Sequence, residues 1–241
     1  MRNWKRKGTG ALAVLLTALL ALCLPLPHWG RSEAVFTRLP DQTLILDPGH
    51  GGEDGGAVSG TGQPESGINL AIARDADCLL GFFGVRTALT RYGDVSIHDG
   101  GAKTLREKKR SDLKNRAALI NGTTNPTLIS IHQNASPNPK YHGAQVFYGD
   151  PALSRPLASA IQTGINTCLD PENKREPQRV PGSIYLMNHI SCRAVLVECG
   201  FLSNPAEEGR LLDDTYQKKL AMVLTAGYLT QGGTQEGESL I

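Results

Sequence analysis

Hydrophobic residues along this chain fall into two kinds of block. Short, nearly continuous apolar runs at 43–47, 85–90, 128–131, 144–148, 183–187 and 194–197 predict strands. Their lack of alternation marks strands covered on both faces, as in a parallel sheet. Longer stretches at 66–82, 112–121, 153–168, 205–212 and 216–229 predict helices; in the first, Ile68, Ile72, Ala76 and Leu79 recur at helical spacing. Asn121-Gly122 reads as a helix stop. Between the blocks, residues 49–62 form a Gly-rich loop and residues 93–111 a polar one. Residues 170–182, with Lys174, Arg175, Arg179 and three prolines, read as a basic connection. Strands alternating with helices predict a single α/β domain, a mostly parallel twisted sheet flanked by helices, with no internal repeat.

The ends differ from the middle. Arg2, Lys5, Arg6 and Lys7 precede residues 11–27, which carry no charge and only Thr17 as a polar residue. Basic then apolar is the order of an export signal. The run sits at the lower limit for spanning a bilayer, so residues 1–34 read equally as a cleaved signal peptide, with Ser32-Glu33-Ala34 as a small-x-small site, or as a retained membrane anchor. Residues 35–42 read as a linker, 43–231 as the folded domain and 232–241 as a disordered tail. With 40% apolar residues in 241, the domain can bury a proper core. A net charge of +2 gives no case for nucleic acid as a partner. Cys78, Cys168, Cys192 and Cys199 form no CxxC pair, which argues against a cysteine metal site and favours buried thiols over a disulfide framework.

Candidate chemistry clusters where apolar runs end. Leu44-Ile45-Leu46 runs into Asp47-Pro48-Gly49-His50-Gly51-Gly52, Leu128-Ile129-Ser130-Ile131 into His132-Gln133-Asn134, and Ala194-Val195-Leu196-Val197 into Glu198. In open α/β sheets ligands bind beyond the carboxyl ends of the strands. His50 alone is most simply a loop histidine, Glu65 a first-turn carboxylate favoured by the helix dipole, and His132 a satisfied strand-end histidine. Together they supply two imidazoles and a carboxylate, the three-ligand set that leaves a zinc ion one position for water. Asp47 is either a turn starter or a carboxylate orienting a ligating imidazole. Glu198 ends a strand so apolar that its charge needs a partner, which is either a salt bridge or the proton traffic of a general base. Arg116 either pairs with Asp112 at i, i+4 or serves the site.

These motifs, with Ser130-Ile131-His132-Gln133-Asn134-Ala135 and Val197-Glu198-Cys199-Gly200-Phe201-Leu202-Ser203-Asn204, resemble the zinc-dependent N-acetylmuramoyl-L-alanine amidases of the type 3 family from about residue 43 to 230. The resemblance implies one zinc held by His50, Glu65 and His132, Glu198 as the catalytic residue, and Asp47, Asn134 and Arg116 in supporting or substrate-binding positions. It also implies peptidoglycan as substrate, cleaved at the amide between N-acetylmuramic acid and L-alanine, and an exported location; it names no protein activator. Cys199 departs from the apolar residue common in the family. The stretch between Tyr148 and Ser183 is too short for the helix that plugs some cell-division members, so the chain is most similar to the short branch acting on spore cortex, where stem-peptide removal precedes muramic δ-lactam formation. Two other readings compete. A cysteine hydrolase using Cys199 and His132 is opposed by strand alternation, which turns Cys199 away from Glu198. A non-catalytic wall-binding protein with a structural zinc is opposed by the intact Glu198.

Overall fold

Six strands carry the polar clusters to one edge of one sheet. A computed structural model describes residues 42–232. The strands are β1 (Thr43–Pro48), β2 (Thr87–Leu89), β3 (Pro126–Asn134), β4 (Gln145–Tyr148), β5 (Gln178–Arg179) and β6 (Arg193–Phe201). The helices are α1 (Glu65–Phe82), α2 (Leu105–Asn121), α3 (Pro151–Cys168), α4 (Tyr185–Asn188), α5 (Pro205–Leu211) and α6 (Asp214–Gly232). The sheet order is β2-β1-β3-β6-β4-β5, parallel throughout except where β4 runs antiparallel to β6. The segments read as signal or anchor, linker up to residue 41, and tail from residue 233 lie outside the described residues.

Both faces of the sheet are covered, which is why its central strands read as unbroken apolar runs. Leu44, Leu46, Ile129, Ile131, Val195 and Val197 face a large core with Ile72 and Ala76 of α1, Leu157 and Ile161 of α3, and Leu220 and Leu224 of α6. Ile45, Leu128, Ala194 and Leu196 face a smaller core with Ala117 and Ile120 of α2 and Leu186 and Met187 of α4. Period-two alternation then decides what each strand sends to which side. Asp47 pairs in register with Ser130, and His132 with Glu198.

Four expectations need correction. Residues 93–111 are not all loop, because α2 starts at Leu105. Thr104 Oγ1 accepts a hydrogen bond from Glu107 N at 3.2 Å, and Glu107 Oε2 accepts from Thr104 N at 2.9 Å. This reciprocal cap satisfies donors that a helix start leaves open. Thr104→Ala is expected to cost about 1 kcal/mol, read as a lower unfolding midpoint. Residues 183–187 are not a strand but lead into α4, since an apolar run so short lets periodicity fit either element. Inside the basic connection, Gln178 and Arg179 pair with Phe147 and Tyr148 as β5. All four cysteines of the described residues are free, but Cys78 and Cys168 are exposed rather than buried.

Candidate metal centre

The loop after β1 is built to present His50. Its backbone takes a left-handed conformation, φ +61°, which costs a non-glycine residue energy unless its surroundings impose it. Two buried arginines impose it. Arg91 Nε and Arg116 Nη1 both donate to Pro48 O, at 2.9 and 3.0 Å. Arg91 Nη2 donates to Gly49 O at 3.0 Å, and Arg116 Nη2 to His50 O at 2.7 Å. Three successive carbonyls are thus captured by two guanidinium groups, which fixes the loop without any regular structure. Asp47 anchors one of them: its Oδ1 lies 2.5 Å from Arg116 Nη1, and it also accepts from Thr90 Oγ1 and Ser130 Oγ at 2.6 and 2.7 Å. Burial alone would raise this carboxyl, but Arg116 and the two hydroxyls hold it down at about 2. Asp47 therefore hydrogen-bonds no imidazole, contrary to one of its two readings.

Three side chains converge at the carboxyl edge of the sheet. Single ligating atoms of His50, Glu65 and His132 all lie within 4.8 Å of one another. Glu65 opens α1, where Oε2 accepts from Gln133 N at 2.7 Å and Oε1 from Ala57 N at 3.0 Å. Its Oε1 is 2.7 Å from His50 Nε2. The rings of His50 and His132 meet edge to face, 5.0 Å between centroids. Two glycines make room: a Cβ at Gly49 would overlap the His132 ring, and one at Gly56 would overlap Glu65 Oε1. Two nitrogens and a carboxylate are a donor set that suits zinc among divalent ions, and the residues fit such an ion. Burial would lower the His50 imidazole, but Asp54 and Glu65 raise it to about 9; burial lowers His132 to about 4 despite Glu65.

Glu198 stands in register beside His132, three residues before the end of β6 and just before a bulge in the β3–β6 pairing. Its Oε2 is buried and has no hydrogen-bond partner among the described residues. Burial, then the Glu65 carboxylate, pushes its carboxyl up to about 8. Buried polar atoms without a partner are uncommon, which sets this oxygen apart in a strand otherwise so apolar.

Comparison with known proteins gives this arrangement a family. Residues 44–228 match the family model described as N-acetylmuramoyl-L-alanine amidase. The chain belongs to that amidase family. A germination-specific N-acetylmuramoyl-L-alanine amidase of Bacillus subtilis (strain 168) is 38% identical over 199 residues, spanning 81% of this chain and 83% of that protein. The CwlD amidase of Clostridioides difficile, solved in complex with the GerS lipoprotein, is 40% identical with a TM-score of 0.75, covering 78% of this chain and 96% of that one. An N-acetylmuramoyl-L-alanine amidase of Clostridium difficile 630 is 28% identical with a TM-score of 0.69, covering 80% and 98%.

Around the three converging residues, the amidase carries groups that sequence reasoning missed. Asp54 Oδ2 lies 2.9 Å from His50 Nδ1 and so fixes the imidazole, the part that one of the two readings gave to Asp47. Asn69 bridges Gly49 O and Gln133, at 3.2 and 3.1 Å. Arg116 does pair with Asp112, at 2.6 Å, and reaches the loop as well. Asn134 folds its Oδ1 onto Ala135 N at 2.8 Å, at the β3–β6 bulge. Cys199 is buried in the larger core, and burial raises its thiol far above the ordinary range. Gly49→Ala is expected to weaken metal affinity about 10–100-fold by displacing His132, as measured by competition with a chromophoric chelator.

Proposed function

We propose that this chain is a zinc-dependent N-acetylmuramoyl-L-alanine amidase, hydrolysing the amide between N-acetylmuramic acid and the L-alanine of the stem peptide in peptidoglycan. The observation that carries the reading is the convergence of His50, Glu65 and His132 beside an unpartnered Glu198 oxygen, in a chain of the amidase family. His50, Glu65 and His132 would hold one zinc ion. When bound, the ion supplies Lewis acidity to a carbonyl oxygen and makes water acidic near neutral pH.

The chain's own residues position groups and handle the proton. Asp54 orients His50, Gln133 N and Ala57 N orient Glu65, and Arg91 and Arg116 hold the loop rigid. Glu198 takes a proton at its free Oε2 while water attacks, then delivers it to the departing alanine nitrogen, a poor leaving group unless protonated. A carboxyl raised to about 8 by burial is near the pH at which it must both accept and give. Asn134, half-buried at the bulge beside the site, meets substrate.

The germination-specific and CwlD relatives support a role in spore cortex, ahead of muramic δ-lactam formation. The GerS lipoprotein bound to CwlD supports a lipoprotein partner for this chain too. Residues 1–34 would carry the domain across the membrane, leaving it anchored or released outside the cytoplasm. No helix of the described residues is long and apolar enough to cross a membrane, and the proposed anchor lies outside them.

The test is chemical. Purified protein with zinc is incubated with peptidoglycan and the products are identified by mass. Free peptide beginning in L-alanine, with glycan retaining the lactyl carboxylate, is the expected result. Intact peptidoglycan, or cuts only within glycan or between peptide residues, would overturn the reading.

A further inference from the structure

The N-terminal half of α2 carries more positive charge than its neighbours neutralise. Within Arg106-Glu107-Lys108-Lys109-Arg110, Lys108 pairs with Glu53, and Lys109 Nζ lies 3.2 Å from Asp54 Oδ2. Glu107 is committed to the helix cap through its Oε2. Arg106 and Arg110 are exposed and, among the described residues, have no ion pair. Four residues apart, they share one helix face.

That face borders a groove of about 210 Å³ whose walls are mainly the apolar parts of Arg106, Lys109, Arg110, Leu113 and Tyr185. Tyr185 forms its far wall and is held in place by stacking on His189, 3.8 Å between ring centroids. Leu113, partly buried against the smaller core, gives an apolar floor. Lys109 joins the groove to the metal centre, because the Asp54 oxygen it contacts is the one 2.9 Å from His50 Nδ1. A basic helix face is usually just solvated. This one has a cavity, a fixed aromatic wall and a two-contact link to a metal-binding side chain.

We propose that this groove, resting on the amidase reading above, is the subsite for the stem peptide and that Arg106 and Arg110 hold its free carboxylate. The substrate's own charge distribution selects that half. In an amidase substrate the lactyl carboxyl is tied up in the scissile amide and the N-acetylated sugars are uncharged, so formal negative charge lies on the peptide side. Two guanidinium groups on one face match a carboxylate in charge and in fork geometry. The groove thereby selects acidic over amidated stem peptides and sets which side of the bond faces α2.

The experiment uses two muramyl peptides that differ only in a free carboxylate or a carboxamide at the second stem residue. Wild type is expected to show kcat/KM about tenfold higher for the carboxylate, mostly through KM, with the preference shrinking as salt rises. The double variant Arg106→Ala/Arg110→Ala is expected to bring that ratio to about one, with metal content and unfolding midpoint as in wild type. Equal rates for both substrates in wild type, or a preference that persists in the variant, would overturn the subsite while leaving the amidase reading standing. Cleavage of neither substrate would remove the amidase reading itself.

Discussion

Glu198→Gln is expected to abolish turnover while leaving the protein folded, metal-loaded and able to bind muropeptides. The amide keeps the shape of the carboxylate and cannot take a proton at the position where Oε2 stands unpartnered. Loss of a positioned acid–base group typically lowers rate by about 10²–10⁴. His132→Ala provides the contrast. His132 is one of the three residues whose ligating atoms converge, so its loss should remove metal and activity together. Metal content measured alongside kcat thus separates the two roles. Loss of zinc from the Gln variant would make Glu198 a ligand; near wild-type turnover would place the proton elsewhere.

The strand ends were legible in the sequence because one physical rule covers them. A continuous apolar run that stops at a polar residue in a parallel sheet puts that residue on the ligand-binding edge. The rule brought out His50, His132 and Glu198, and the same rule applied to β2 would have singled out Thr90 and Arg91, which follow Leu89 directly. Arg91 follows the predicted run 85–90 directly, but it opens a segment whose composition reads as loop. Asp54 had no such signal. It sits in an irregular Gly-rich loop, where sequence spacing says nothing about which side chains meet, and only the left-handed turn at His50 brings it onto Nδ1. The early start of α2 was written in Thr104-Leu105-Arg106-Glu107, a capping box hidden by the polar composition around it. The short apolar run at 183–187, most of which lies in α4, was ambiguous in principle, since its burial against α2 and the sheet decided what its periodicity could not.

Arg116→Ala is expected to destabilise the domain by about 3–5 kcal/mol at neutral pH, the usual cost of leaving a buried charge without its partner. Asp47 would keep Thr90 and Ser130 but lose the guanidinium 2.5 Å away. The carbonyls of Pro48 and His50 would lose donors in the same step, so the strained turn at His50 would relax and metal affinity fall with stability. Lysine is a poor substitute, because one ammonium cannot span Asp47, Asp112 and two carbonyls at once. The pH dependence gives the variant its signature. In wild type the Asp47 carboxyl is lowered from 3.8 to about 2, so it contributes about 2 kcal/mol that is present above 3.8 and lost as pH falls toward 2. Without Arg116, burial is the dominant influence left and raises that carboxyl, so the variant gains stability on acidification as the stranded charge is neutralised. The gap between wild type and variant should therefore narrow as pH drops from 7 to 3, as followed by urea unfolding in the presence of a chelator. A gap that stays constant over that range would show that Asp47 does not depend on Arg116, and the loop would owe its rigidity to Arg91 and Asn69 alone.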